Sequence, residues 1–266
     1  MKAEDLKLVV KEKYGEIANQ SKTQNETSCC GTSGCCGVDY TIFSESYDKL
    51  KGYNPDADLG LGCGIPTEFA QIKEGKTVVD LGSGAGNDCF VARALVGETG
   101  KVIGVDMTEA MIEKAKQNAS KLNFTNVEFL LGDIENMPIE NASTDVVISN
   151  CVLNLVPDKE KAFAEIFRIL KLGGHLSVSD VVLRGELPEK LKNVAEMYAG
   201  CVSGAIQIEK YLEIMKQSGF KNIKVQKEKL IAIPDEILLK YISQTELNQL
   251  KTDNVGVISI TVYAEK

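Results

Sequence analysis

The chain holds 266 residues, 44% of them hydrophobic and 26% charged, with 38 acidic against 30 basic residues and a net charge of −8. That length accommodates a large core at the upper end of single-domain size, and the acidic balance with no basic stripe argues against a nucleic-acid partner. Met1–Gln20 mixes Lys and Glu with no apolar centre, unlike a signal peptide, and no apolar run approaches the roughly 18 residues that span a bilayer, so a cytoplasmic protein without a membrane partner, monomeric by default, is expected.

Ala3–Gln20 carries Leu6, Val9, Val10, Tyr14 and Ile17 at helical spacing. Ser21–Gly37 is rich in Ser, Thr, Asn, Gly and Cys and reads as a loop. A short helix is expected within Tyr40–Tyr53, and Asn54–Pro66 (NPDADLGLGCGIP) is a loop leading to the first strand. From there strands and helices alternate. Thr77–Leu81, Lys101–Val105, Val127–Leu131, Asp145–Ser149 and His175–Val182 are predicted strands; Asn87–Val96, Thr108–Leu122 and Asp158–Leu170 are predicted helices. Thr108 is placed to cap its helix, with Met111, Ala115 and Leu122 on the apolar face. Gly173-Gly174 is expected to stop the helix before it and admit the next strand. The rhythm predicts an α/β fold with a doubly wound, Rossmann-like parallel sheet and helices on both faces. Beyond Asp180, helices are expected at Pro188–Ala199, Ile208–Ser218 and Asp235–Leu250, and strands at Ile223–Ile233 and Val255–Ala264, the last returning as a hairpin-like edge.

The strand Val78–Leu81 breaks into Gly82-Ser83-Gly84-Ala85-Gly86. Glycines there let the backbone turn with positive φ and approach a ligand closely. Asp106, at the end of the second strand, is placed to accept two ribose hydroxyls. The spacing is G-x-G-x-G with Asn87 at the sixth position, not the G-x-G-x-x-G of a pyrophosphate site. Asp80 before the turn repels a pyrophosphate and suits a cation. S-adenosylmethionine, with a ribose, an amino group and a positive sulfonium, fits better than a nicotinamide dinucleotide; a plain glycine turn is the bland alternative. Met107 offers an apolar edge for adenine, Ile134 in Gly132-Asp133-Ile134-Glu135 a second, and Asp133 or Glu135 an acceptor for its amino hydrogens. Asn150 closes the fourth strand beside the reacting end of the cofactor. Each has a structural reading alone, a turn former for Asp133 and a strand-end cap for Asn150. Their common place at strand carboxyl ends favours a site.

Eight cysteines and one histidine, His175, bound the chemistry. In a reducing compartment a disulfide framework is not expected, and histidine-based zinc sites or nucleophilic triads are close to excluded. Cys63 lies in Leu59-Gly-Leu-Gly-Cys-Gly-Ile-Pro66, a loop in which the thiol is expected to be accessible. Cys151 follows Asn150 at the mouth of the sheet, and Cys201 sits among small residues in Tyr198-Ala-Gly-Cys-Val-Ser-Gly204. Each of the three competes with the reading of a small buried hydrophobe; Cys89 reads as buried filler. Cys29-Cys30 and Cys35-Cys36 lack C-x-x-C spacing and suit a soft, thiophilic ion better than structural zinc, with a plain tail as the alternative.

The glycine motif, LGLGCGIP, Ser149–Leu155 (SNCVLNL) and Ala199–Ala205 (AGCVSGA) together resemble the arsenite methyltransferase family, and LVVKEKYGEIA at Leu8–Ala18 is similar to its opening. The resemblance runs from Leu6 to Ala205. It implies a class I methyltransferase fold, S-adenosylmethionine as cofactor, arsenite or its thiol adducts as substrate, and thioredoxin or glutathione as reductant. By position it makes Cys63, Cys151 and Cys201 the thiolates that hold As(III), with Cys29, Cys30, Cys35 and Cys36 as candidates for a further one. The chain is expected to divide into an N-terminal helix and Cys-rich cap segment (1–70), a cofactor-binding core (71–183) and a C-terminal α+β segment that completes the arsenic site and sheet (184–266), in which no family motif is placed beyond Ala205. Three sulfurs around As(III) leave its lone pair opposite them, so arsenic is itself the nucleophile and no general base is required; positioning and desolvation can lower such a barrier by roughly 7–11 kcal/mol. Two rivals stay open: a methyltransferase acting on carbon or oxygen of a quinone-like molecule, and a noncatalytic metalloid-binding protein.

Overall fold

The computed structural model describes residues 3–20, 45–188, 190–191, 204–231 and 233–266. Helix α1 (Ala3–Ala18) and the one-turn α2 (Pro66–Phe69) precede the sheet. Strands β1 (Thr77–Leu81), β2 (Lys101–Asp106), β3 (Val127–Leu131), β4 (Thr144–Asn150) and β5 (Leu170–Arg184) are interleaved with α3 (Asn87–Val96), α4 (Glu109–Lys121) and α5 (Lys159–Ile169). Then come α6 (Ile208–Gln217), β6 (Lys221–Leu230), α7 (Asp235–Leu238), α8 (Gln244–Thr252) and β7 (Gly256–Glu265). The described strands form one seven-stranded sheet in the order β3-β2-β1-β4-β5-β7-β6. β1 to β5 run parallel, and β7 is antiparallel to both β5 and β6.

Alternation along the strands explains the layers. Val79 and Leu81 of β1 enter one core with Phe163, Ile166 and Tyr211, whereas Val78 enters the other with Phe90, Met111 and Ala115. A strand apolar on both faces needs helices on both faces. On one side Phe163 stands edge-on to Tyr211 at 5.3 Å.

Several expectations are corrected. β7 is not an edge but lies between β5 and β6, because its burial on both faces leaves the exposed, lysine-rich β6 as the edge. A lysine-bearing strand discourages pairing with another chain. Gly173-Gly174 does not part helix from strand: α5 ends at Ile169 and β5 starts at Leu170, with the glycines inside it. Asp235–Leu250 is two helices, because Ser243 starts α8 with a capping box to Glu246. The Thr108 side chain makes no capping bond, and Leu122 and Val9, at 37% and 52% exposed, lie off their apolar faces. Of the short helix expected within Tyr40–Tyr53, residues 40–44 lie outside the described residues and 45–53 form turns. Most of the helix expected at Pro188–Ala199 lies outside the described residues.

Candidate active site

The carboxyl ends of β1 to β4 surround a cavity. At the end of β1 the chain turns at Gly82 with φ 65°, and a Cβ there would strike the Val152 side chain. The Gly82 amide donates to the Val105 carbonyl of β2 at 2.7 Å. The Asp106 carboxylate accepts the Gly84 amide at 3.0 Å and the Thr108 amide at 2.8 Å, so this acid braces the glycine turn. After β3, Lys7 of α1 donates to Asp133 at 2.6 Å and Glu135 at 2.7 Å. This pairing lays α1 against the cavity, with Val10 and Tyr14 in its wall.

Of the residues singled out in the sequence, Asp80, Gly82, Ser83, Gly84, Asp106, Met107, Asp133, Ile134, Asn150 and Cys151 line this cavity. Gly86, Glu135 and Cys63 do not. Gly86 precedes α3 under the Phe90 and Phe129 rings, and Glu135 accepts the Asp158 amide besides Lys7.

The cavity is acidic. Asp58, Asp80, Asp88, Asp106 and Asp133 line it, and Lys7 is the one cation among its described lining residues. Burial, and then the neighbouring Asp88 charge, push the Asp80 carboxyl well above the usual carboxylate range. Burial pushes Asp88 up to about 6, against hydrogen bonds from Asn150 and Tyr47 that favour its charged form. A cation in the cavity would favour both carboxylates. Ser83 Oγ and Asn87 Oδ1 are buried with no hydrogen-bond partner. Buried polar groups are ordinarily satisfied. These two oxygens and the carboxylates fit a cationic ligand bearing hydroxyls, such as S-adenosylmethionine, and disfavour a phosphate.

Cys63, Cys89 and Cys151 are thiols outside any disulfide, and all three are buried. Cys63 is 0% exposed, against the expectation of an accessible thiol. The loop folds inward because both sides of Cys63 are held: its amide donates to Asn150 Oδ1 at 2.9 Å, and its carbonyl accepts the Ser259 hydroxyl. Cys63 and Cys151 belong to one apolar cluster with Val181, Ile231 and Val257. Cys151 has φ 59° and donates its amide to the Ser179 carbonyl at 2.8 Å. Tyr211 donates to the buried Asp180 at 3.0 Å, and burial pushes Asp180 up to about 7. Burial and Asp180 push Tyr211 well above its ordinary value, and the charges of Cys63 and Cys151 as thiolates add to this. His175 contacts the Ala70 carbonyl at 2.6 Å and faces Tyr263, outside the cavity. Cys201, Cys29, Cys30, Cys35 and Cys36 lie outside the described residues; among the described ones no three His, Cys, Asp or Glu form a metal site.

Residues 72–219, which hold the glycine turn, the acids at the ends of β1 and β2, and Asn150-Cys151, match the methyltransferase domain family. The chain belongs to that family. Its mixed seven-stranded sheet is the class I methyltransferase fold. The chain is 41% identical over 238 residues to the arsenite methyltransferase of Halobacterium salinarum, covering 84% of this chain and 59% of that protein. It is 34% identical over 239 residues to the human arsenite methyltransferase, covering 86% of this chain and 62% of that one. The crystal structure of an arsenic(III) S-adenosylmethionine methyltransferase from Chlamydomonas reinhardtii superposes with a TM-score of 0.65 at 34% identity, over 77% of this chain and 67% of that chain. The chain thus spans about 60% of the length of these curated relatives.

Sequence reading missed Tyr47, Asp88 and the Asp180–Tyr211 pair. Asp88 had a signal, an acid in the first turn of the helix that follows the glycine loop. Tyr47 had none, because its partner Asp88 is 41 positions away. Lys7 directly precedes the family-like LVVKEKYGEIA, yet its pairing with Asp133 across 126 positions has no local mark.

Proposed function

We propose that the chain is an arsenite methyltransferase that transfers methyl groups from S-adenosylmethionine to As(III) held by Cys63, Cys151 and Cys201. The observation that carries this reading is the packing of Cys63 and Cys151 in one buried cluster, with Cys151 also lining the acidic cavity.

When bound, S-adenosylmethionine supplies a methyl group on a cationic sulfur, open to in-line displacement by the arsenic lone pair. Asp80 and Asp88 favour its positive charge, Ser83 and Asn87 offer oxygens to its hydroxyl and amino hydrogens, and Met107 and Ile134 flank its base. The thiols exchange with arsenite hydroxyls, and each thiol proton leaves in a water molecule. No base is needed, consistent with His175 lying outside the cavity. Burial of Cys63 and Cys151 excludes water from the arsenic. Because methylation consumes the arsenic lone pair, a thiol reductant such as thioredoxin or glutathione restores trivalent arsenic. A cytoplasmic monomer suits these requirements, and no helix among the described residues is long and apolar enough to cross a membrane.

The test is a methyl-transfer assay with labelled S-adenosylmethionine, As(III) and glutathione, read by mass. Methylated arsenic that falls at least about 100-fold in Cys151→Ser supports the reading. Cofactor binding with no methylated arsenic refutes it in favour of another small-molecule acceptor.

A further inference from the structure

The side chain of Asn150 is committed to the protein on every side. Its Nδ2, with two hydrogens, lies within hydrogen-bond distance of three acceptors: the Gly64 carbonyl at 2.9 Å, Tyr47 Oη at 2.8 Å and Asp88 Oδ2 at 3.0 Å. Its Oδ1 accepts the Cys63 amide at 2.9 Å. The carboxamide therefore grips the chain immediately before and after the Cys63 side chain. The approach is close: a Cβ on Gly62 would lie 2.6 Å from Asn150 Nδ2. Tyr47 reinforces the grip, donating to Asp88 at 2.9 Å while also contacting the Gly64 carbonyl at 2.9 Å. Asn150 is also joined by a peptide bond to Cys151, whose left-handed backbone (φ 59°) bends away from the end of β4. Left-handed backbone in a residue other than glycine persists where its surroundings impose it.

We propose that Asn150 is a positioning residue that sets the spacing between Cys63 and Cys151, through a carboxamide clamped on one thiol's backbone and a peptide bond to the other. This rests on the reading that the two thiols hold arsenic. It assigns Asn150 to the geometry of the arsenic site rather than to the cofactor. Asp88 and Tyr47 act as the anvil for the clamp, since they hold the face of the amide opposite Cys63.

Phenylarsenic(III) oxide, which exchanges its oxygen for two thiolates, is the probe. The full chain with Cys29, Cys30, Cys35, Cys36 and Cys201 replaced by Ser, which leaves Cys63 and Cys151 as the pair the probe takes, is titrated without cofactor, and bound arsenical and lost thiols are counted. Methyl transfer is assayed in the chain with all its cysteines. Asn150→Ala and Asn150→Asp are expected to weaken binding about tenfold or more. In methyl transfer they are expected to raise the KM for arsenite while leaving that for the cofactor within about twofold. The reciprocal variant Asp88→Asn with Asn150→Asp restores an amide-to-carboxylate bond and keeps an acceptor for the Cys63 amide. It is expected to regain binding to within about threefold of the parent. A change confined to folding stability would move none of these ratios. Wild-type affinity in Asn150→Ala, or a folded reciprocal variant no tighter than Asn150→Asp, overturns the proposal. Cys63→Ser and Cys151→Ser separate the two readings: if both bind like the parent, the arsenic site itself falls. If both lose the probe while Asn150→Ala keeps it, only the positioning role falls.

Discussion

The Cys89 thiol donates to Asp80 Oδ2 at 3.2 Å, joining a helix residue to the carboxylate that precedes the glycine turn. Cys89 is the one side chain whose hydrogen bond holds the Asp80 carboxyl down against burial and the Asp88 charge. Burial and the Asp80 charge in turn push the thiol well above its ordinary value, so it stays protonated and donates. A hydrogen bond to a charged group contributes roughly 1.5–3 kcal/mol. Cys89→Ala is therefore expected to weaken S-adenosylmethionine binding about tenfold in calorimetric titration, and Cys89→Ser to stay near the parent. Equal affinities in all three would remove this role for Cys89.

Asp88 and Asp180 titrate at about 6 and about 7 in the folded chain, above the ~3.9 of an unfolded Asp. Asp88 faces Tyr47, Asn150, Asp80 and Asp58; Asp180 faces Tyr211 and Lys159. Between about pH 4 and pH 7 the folded state keeps protons that the unfolded state has released, so stability falls as pH rises through that window. Acids held low by hydrogen bonds, Asp145 by the Thr77 amide and then Lys171 and Lys76, and Glu165 by Arg168, act in the opposite sense, below about pH 4. The ligand-free protein should melt higher at pH 5 than at pH 7.5, and Asp88→Asn and Asp180→Asn should each flatten that difference. Unchanged pH slopes in both variants would contradict the assignment.

Gly82→Ala places a side chain in left-handed backbone against Val152. The backbone costs about 1–2 kcal/mol and overpacking about 1–3 kcal/mol. A loss of about 2–5 kcal/mol is expected in urea unfolding, with cofactor binding lost at the displaced turn. A loss under about 1 kcal/mol would mean that Val152 yields without cost.

Lys7 ties α1 to Asp133 and Glu135, whose side chains are 43% and 8% exposed. Pairs near solvent are screened by salt. Lys7→Met is expected to raise the dissociation constant for S-adenosylmethionine two- to tenfold at low salt, speed protease cleavage within α1, and differ less from the parent at about 1 M salt. Identical cleavage rates would show that Lys7 does not latch the helix.

How much was legible follows from the range of each interaction. The βαβ order, the glycine turn and Asp106 at the end of β2 are local signals. Burial period, positive-φ residues and strand-end acids are each written within a few positions, and the sheet brought them to one cavity. By themselves these residues determined the class I methyltransferase core and a site suited to a cation rather than a pyrophosphate.

Only the tertiary structure decided that β7 enters the sheet beside β5, that Cys63 is buried, and that Asn150 grips the Cys63 loop across 87 positions. Sequence periodicity records which face of an element is apolar. It carries no record of which distant amide, carboxylate or lysine will meet that face. Burial then sets the rest, because desolvation raises the carboxyls of Asp80, Asp88 and Asp180, and it acts only once the chain has closed around them.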